Sequence, residues 1–316
     1  MKMGIKKLVD QYSTVNKLLF PNMSNKMRLH YAKFYDVKPI NNNMILYETR
    51  DGKSIVDSPY AIFLYLAKTP EFNHFQHVWV LDKKDEGVEN SIPAELRSKV
   101  TFVYRQTLKY VDAILEAKYL ISNSTFESFF VKRPGQIYIN TWHGTPLKLM
   151  GFDIPGKLSH SQNVLRNFLM TDYILSPNKH TTDIFLNSYK LNGIYPGEIL
   201  EGGYPRIDNT INSSRNIIFS KLQKYGINID SGKPILLFSP TWKGTNIHDA
   251  TDDINQIIKE TLRLVSEFNN YNILLKVHPY VYSKMSMEPQ IQEYLVSDLF
   301  DANELMGVID ILITDY

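Results

Sequence analysis

The stretch Ile137-Tyr138-Ile139-Asn140-Thr141-Trp142-His143-Gly144-Thr145-Pro146-Leu147-Lys148 runs from an apolar segment straight into a polar, glycine-containing turn. Tyr138 to Trp142 has the length and the aromatic and β-branched content of a buried strand. A histidine directly after such a run sits at the strand's carboxyl end, where open α/β sheets take their ligands. Imidazole titrates near neutrality, so His143 is a candidate general base for a hydroxyl nucleophile. Gly144 lets a substrate approach the backbone, Thr145 is placed to cap a following helix whose N-terminus attracts phosphate, and Lys148 adds a cation. The competing reading is a structural histidine bonded to backbone at a strand end. The company of Gly144, Thr145 and Lys148 favours chemistry.

Working outward, the same rhythm repeats. Met44 to Glu48, His77 to Leu81, Val100 to Tyr104, Lys118 to Ser122 and Tyr173 to Ser176 are apolar runs of strand length. Helical stretches fall between them at Ser58 to Lys68, opened by Ser-Pro, and at Thr107 to Ala117. Strands alternating with helices predict parallel pairing with crossover helices, the doubly wound arrangement. A polar, turn-rich stretch from Asp208 to Gly232 reads as a connection to a second lobe. There Pro234 to Ser239, Asn272 to Val277 and Asp310 to Thr314 predict strands, with helices near Asp253 to Phe268 and Glu304 to Gly307. Three strands fall short of a complete open sheet, so this second lobe reads as incomplete.

The second lobe holds a histidine at the same kind of address. Leu274-Leu275-Lys276-Val277-His278-Pro279 ends a strand in His-Pro, and alternation puts Lys276 and His278 on one side of it, where both would meet a phosphate. Two strand-end histidines, one per lobe, are expected to face each other across a cleft. Ser239-Pro240-Thr241-Trp242-Lys243-Gly244 follows another strand and offers hydroxyls, amides and a glycine to a nucleotide phosphate or ribose. At Gly203-Tyr204-Pro205-Arg206 the arginine is either a phosphate clamp or an exposed turn residue. Asp298, Asp301, Glu304, Asp310 and Asp315 cluster near the end, as ligands for ribose hydroxyls or metal, or as helix and strand caps.

Composition bounds the rest. A chain of 316 residues exceeds one ordinary core and suits two lobes. Its 43% apolar and 22% charged residues are those of a globular protein. Cysteine is absent, which removes disulfides, thiolate metal sites and cysteine nucleophiles, and suits a reducing compartment. No window has the run of about 20 apolar residues that spans a bilayer, and no signal peptide is present. The first 36 residues carry seven basic side chains against two acidic ones, a net +5 within a whole-chain +2. Met3, Ile5, Leu8, Val9, Tyr12, Val15, Leu18, Leu19 and Phe20 recur among them at spacings near three and four. That is either an interfacial amphipathic helix or a helix docked on the first lobe. No dinucleotide fingerprint or P-loop occurs, and outside the leader there is no basic stripe for nucleic acid.

Taken together, TWHGTPLK (141–148), SPNKHTTDIF (176–185), GGYPRID (202–208), SPTWKG (239–244), KVHP (276–279) and DLFDANELMGVIDILITDY (298–316) resemble the CDP-glycerol glycerophosphotransferase family of teichoic acid and capsule polymer enzymes. The resemblance implies a fold of the glycosyltransferase B type, with two Rossmann-like lobes. It implies a basic leader over 1–36, an acceptor-side lobe over 37–207, a connection over 208–232 and a nucleotide-donor lobe over 233–316. It further implies transfer of glycerol or ribitol phosphate from CDP-glycerol or CDP-ribitol to a lipid-linked polyol-phosphate acceptor, releasing CMP. No cofactor and no metal are expected, and the place of action would be the cytoplasmic, anionic face of the membrane. By the same resemblance His143 is the base and His278 a second essential histidine. The resemblance matches Arg206, Ser239, Pro240 and Thr241 to donor contacts, and the reading of the residues themselves adds Gly144, Thr145, Lys148, Lys276 and Asp315 as expected donor or phosphate contacts. The family's pattern continues past its TDY run, and here the chain stops at Tyr316, which bears on whether this form is active. Two alternatives stay open: a UDP-sugar transferase of the same architecture, and a non-catalytic scaffold of a wall-polymer complex.

Overall fold

The computed structural model describes residues 22–82, 87–156, 158–241 and 251–315. The chain divides into two compact units, Met1–Pro205 and Arg206–Tyr316.

The first unit is built on one parallel sheet. Its strands are β1 (Asn41–Glu48), β2 (Gln76–Leu81), β3 (Val100–Tyr104), β4 (Ala117–Ser122), β5 (Ile137–Asn140), β6 (Tyr173–Ser176) and β7 (Glu198–Glu201). They lie in the order β3-β2-β1-β4-β5-β6-β7, every pair parallel. Met44 to Glu48 is buried at every position, as a central strand covered on both faces must be. Leu46, Trp79, Leu120 and Tyr138 are fully buried, and each stabilises the fold by about 2 kcal/mol. The helices include α1 (Met23–Phe34), α2 (Asp57–Lys68), α3 (Leu108–Glu116), α4 (Leu158–Phe168) and α5 (Lys179–Asn187). The chain runs outward from β1 through β2 to β3, then returns to add β4 on the other side of β1. The strand order therefore reverses between β1 and β4, and the crevice beyond their carboxyl ends is the place this topology offers a ligand.

Helix α1 falls inside the segment read as a leader, and it docks on this unit. Met27 and Tyr31 are buried in the core shared with Leu46, Tyr110 and Tyr138. Tyr31 Oη donates to the Val131 carbonyl at 2.5 Å, Tyr35 Oη to the Lys132 carbonyl at 3.1 Å, and His30 pairs with Asp112 at 2.9 Å. The apolar leader positions from Met3 to Phe20 lie outside the described residues.

The second unit holds α6 (Arg206–Ile211), α7 (Arg215–Lys224), β8 (Ile235–Phe238), α8 (Thr251–Glu267), β9 (Asn272–Leu275), α9 (Pro279–Met285), α10 (Ala302–Met306) and β10 (Ile311–Ile313). Its described strands form a parallel sheet in the order β10-β8-β9. The stretch 208–232, read as a connection, carries most of α6 and all of α7. Ile218, Leu222 and Ile227 there are buried with Ile235, Leu237 and Leu274. Polar residues dominate this stretch because only one stripe of a short surface helix needs to be apolar. Helix α6 lies so close to the end of α10 that a Cβ at Gly307 would overlap the Thr210 carbonyl, while Thr210 Oγ1 donates to the Asn303 carbonyl at 2.8 Å.

Candidate functional site

The first unit places His143 at its carboxyl edge by ending β5 early. The expected strand to Trp142 stops at Asn140, for the Trp142 N–H turns back to Asn140 Oδ1 at 2.9 Å and Trp142 adopts φ +53°. A left-handed residue costs roughly 1–2 kcal/mol for a side chain of this size. The surroundings hold it there. The indole is buried against Phe168, Phe185 and Tyr189, with ring centroids 5.4 to 5.8 Å away. The reversal throws His143 outward over the indole edge, rings 4.2 Å apart.

One hydrogen bond then fixes the imidazole. His143 Nδ1 lies 2.8 Å from the Asn123 carbonyl oxygen. A carbonyl only accepts, so Nδ1 carries the proton, and in the neutral ring Nε2 carries the lone pair. Asn123 directly follows β4, at the topological switch, and is itself buried. Its Nδ2 donates to Asp57 Oδ2 at 2.8 Å, and its Oδ1 accepts from the Arg50 N–H at 3.1 Å. Asp57 also accepts from the Ser58 N–H at 2.7 Å. The peptide that orients His143 is thus held by groups from the loop after β1 and from the start of α2. Arg50 and Asp51 in that loop, Asp57 at the first position of α2, Gln106 after β3 and Trp142 after β5 all have φ between 47° and 70°. Strained non-glycine backbone gathers along this one edge of the sheet, as it does at sites whose geometry is functional.

The rest of the 141–150 segment is a loop. Gly144 faces open space where a Cβ would stand, so nothing in the fold requires glycine there. Thr145 caps no helix, contrary to expectation. The chain runs extended through Met150 and turns at Gly151, φ +59°, and the next α-helix is α4. Lys148 is exposed. His180, at the start of α5, bonds the Pro146 carbonyl at 3.1 Å and tethers this loop.

Beside this edge lies an ionic cluster that sequence reading missed. Arg105 Nη1 reaches Glu48 at 2.5 Å and Asp51 at 3.1 Å, and Nη2 reaches Glu127 at 2.6 Å. Tyr110 Oη donates to the other oxygen of Glu48 at 3.0 Å. Burial pushes the Glu48 carboxyl up to about 7, against the pull of Arg105 and the hydrogen bond from Tyr110. The charge of Glu48 in turn holds the Arg105 guanidinium above its usual range although burial works the other way. In the neighbouring strand, burial and the charge of Lys99 press His77 down to about 4, and its Nδ1 lies 3.0 Å from Tyr47 Oη.

In the second unit the carboxyl ends of all three described strands carry expected site residues. Ser239, Pro240 and Thr241 follow β8, Lys276 to His278 follow β9, and Asp315 follows β10. Asp315 accepts from both the Thr241 N–H and the Thr241 hydroxyl at 2.8 Å. Lys276 Nζ donates to the carbonyls of Ser297 and Phe300 at 2.5 and 3.0 Å. It reaches into its own unit, and β9 ends at Leu275, one residue before it. His278 is exposed and opens α9, with Pro279 at the first helical position, where its missing N–H costs nothing. Arg206 is half-buried at the start of α6. The acidic residues near the end are dispersed. Asp301 caps α10, Asp310 takes the Ile235 N–H and Arg215, and Glu304 pairs with Lys221. Trp242, Lys243 and Gly244 lie outside the described residues.

Comparison with known proteins gives a consistent set of relatives. Residues 30–316 match the family described as CDP-Glycerol:Poly(glycerophosphate) glycerophosphotransferase. The chain is 30% identical over 313 residues to a teichoic acid poly(glycerol phosphate) polymerase of Bacillus spizizenii, covering 95% of this chain and 76% of that protein. It is 30% identical over 285 residues to a teichoic acid glycerol-phosphate transferase of Staphylococcus aureus, covering 87% and 70%. Against the longer Staphylococcus epidermidis polymerase it spans 39% of that protein's length at 29% identity. Among solved structures, the wall teichoic acid polymerase TagF, as a histidine variant soaked with CDPG, superposes with TM-score 0.73 at 26% identity. That match covers 99% of this chain and 75% of that one.

Proposed function

The chain belongs to the CDP-glycerol:poly(glycerophosphate) glycerophosphotransferase family, and from that premise we propose that it moves an alditol phosphate from a CDP-alditol to a hydroxyl of a teichoic acid acceptor, releasing CMP. The observation that carries the mechanism is the His143 Nδ1–H bond to the Asn123 carbonyl. It leaves Nε2 as the basic nitrogen of a ring that is already oriented. The acceptor hydroxyl gives its proton to Nε2 as its oxygen attacks the β-phosphorus. The new O–P bond forms, the pyrophosphate P–O bond breaks, and CMP departs with that electron pair.

His278 balances charge on the pyrophosphate, joined by the hydroxyl of Ser239, whose own N–H is taken by the Ile313 carbonyl. Asp315 would repel a phosphate, so its role is to set Thr241, whose amide and hydroxyl it already holds. Lys276 likewise positions the 297–300 segment instead of touching phosphate. Gly144 leaves room for a ligand beside His143, and Arg206 and Lys148 are the cations assigned to the donor. The acceptor is taken to be lipid-linked and met at the anionic cytoplasmic face of the membrane. The net +5 of the first 36 residues supports that reading.

General-base help is worth about a hundredfold to ten-thousandfold. His143→Ala is therefore expected to slow CMP release from CDP-glycerol or CDP-ribitol at least about a hundredfold, with the circular dichroism spectrum unchanged. An unaltered rate would end the assignment of the base. Removing residues 1–21 is expected to weaken binding to anionic vesicles in a salt-dependent way. Equal binding by the shortened chain would make that segment structural only.

A further inference from the structure

A cleft of about 370 Å³ opens in the first unit beyond the carboxyl ends of β1 to β4. Its size is that of a small-ligand site. Around its wall stand three carboxylates, Asp51, Asp82 and Glu127, and two cations, Lys53 and Arg105, a net charge of −1. The charge of Arg105 is already outweighed by Glu48, Asp51 and Glu127, which contact both of its terminal nitrogens. A phosphate entering here would meet surplus negative charge and a guanidinium whose charge is already balanced. Hydroxyl groups fare differently. Carboxylates accept strongly from O–H donors, and Gln106, Thr125 and Ser128 add neutral partners that donate as well as accept.

The cleft is also joined to His143 through the protein. Asp51 lines the cleft and is left-handed, as is Arg50 directly before it. The Arg50 N–H bonds the side chain of Asn123, whose carbonyl orients the imidazole. Gln106, another lining residue, is held at φ +58°. Two of the lining residues therefore sit in conformations that cost free energy, and the same loop serves both cleft and base.

We propose that this cleft is a subsite for an uncharged, polyhydroxylated part of the acceptor, a sugar ring or an alditol, while the acceptor's phosphates lie elsewhere. The proposal rests on the function read above and specifies how the acceptor is held. It makes Asp82 and Gln106 binding residues for hydroxyls, and it makes the Glu48–Arg105 pair the floor that keeps the carboxylates in place.

The test is saturation-transfer NMR on the full chain with glycerol, ribitol and N-acetylglucosamine as separate probes. Transfer to at least one of them is expected. It should fall about fivefold or more in an Asp82→Asn, Gln106→Gly double variant, fivefold being the loss expected for a single deleted hydrogen bond of about 1 kcal/mol. Inorganic phosphate should leave the signal unchanged. Should the double variant melt lower than the parent, Asp82→Asn alone serves, because it keeps shape and backbone. No transfer to any probe, full transfer in the variants, or displacement by phosphate would each overturn the proposal. Calorimetric binding of CDP-glycerol to the same samples reads the donor side separately. Donor binding without polyol transfer removes the subsite alone, and polyol transfer without donor binding removes the donor reading alone.

Discussion

Two buried groups on neighbouring strands should hide each other's pH dependence, and removing one should expose the other. Glu48, 1% exposed, has its carboxyl raised from 4.5 to about 7, and His77, 3% exposed, has its imidazole lowered from 6.5 to about 4. Each shift is about 2.5 units, worth roughly 3 to 4 kcal/mol at about 1.4 kcal/mol per unit. The signs are opposite. Folded Glu48 binds a proton that the unfolded chain has released, so its contribution is present below pH 4.5 and lost as pH rises to about 7. Folded His77 refuses a proton that the unfolded chain takes, so its contribution is present above pH 6.5 and lost as pH falls to about 4. Between 4.5 and 6.5 the slopes oppose, and each group alone would change stability by about 2 kcal/mol across that window. The parent should therefore vary by less than about 1 kcal/mol there. Glu48→Gln, which keeps the shape, should lose about 2 kcal/mol on going from pH 6.5 to 4.5. Urea unfolding followed by tryptophan fluorescence reads this, and one of the three reporters, Trp79, stacks on Tyr47, the hydrogen-bond partner of His77. Identical slopes in parent and variant would refute the reasoning.

Other substitutions test the frame of the site. Gly52→Ala puts a Cβ 2.5 Å from the Asp82 nitrogen at φ +80°, and denaturant unfolding should show a loss of at least about 2 kcal/mol. Asn123→Ala cuts the links to Asp57 and Arg50 while leaving the carbonyl that meets His143. It should lower kcat and move the acid limb of the pH–rate profile with KM little changed; a profile that keeps its shape would reduce Asn123 to a folding role. Thr241→Val removes the hydroxyl bonded to Asp315 and should raise the donor KM about fivefold to tenfold, with no change in melting temperature.

Much of this was legible in the sequence, because apolar runs broken by a single polar residue mark strand ends. Six strands of the first sheet and all three described strands of the second followed from that pattern, and His143 and His278 fell at carboxyl ends as expected. Strand β7 escaped, since Glu198-Ile199-Leu200-Glu201 is a short edge strand with charged ends and little burial. Helices α4 and α5 escaped because their sequences are mostly polar, and α6 and α7 because two buried residues suffice to dock α7. The partners of His143 were invisible for another reason. Asn123, Asp57 and Arg50 meet only once β4 has crossed to lie beside β1, and Glu48 and Arg105 stand 57 positions apart until β1 and β3 share one sheet. Local pattern names the ends of strands; which ends become neighbours is decided by topology.

The left-handed residues along the first unit's sheet edge set a limit on laboratory improvement of the protein. Arg50 and Asp51, whose side chains are not buried, are the places along it where Asn or Gly would be accepted most readily. A selection for heat resistance would be drawn to them first. Those same replacements would slacken the peptide that aims the imidazole, so hardier descendants of this chain should be slower ones.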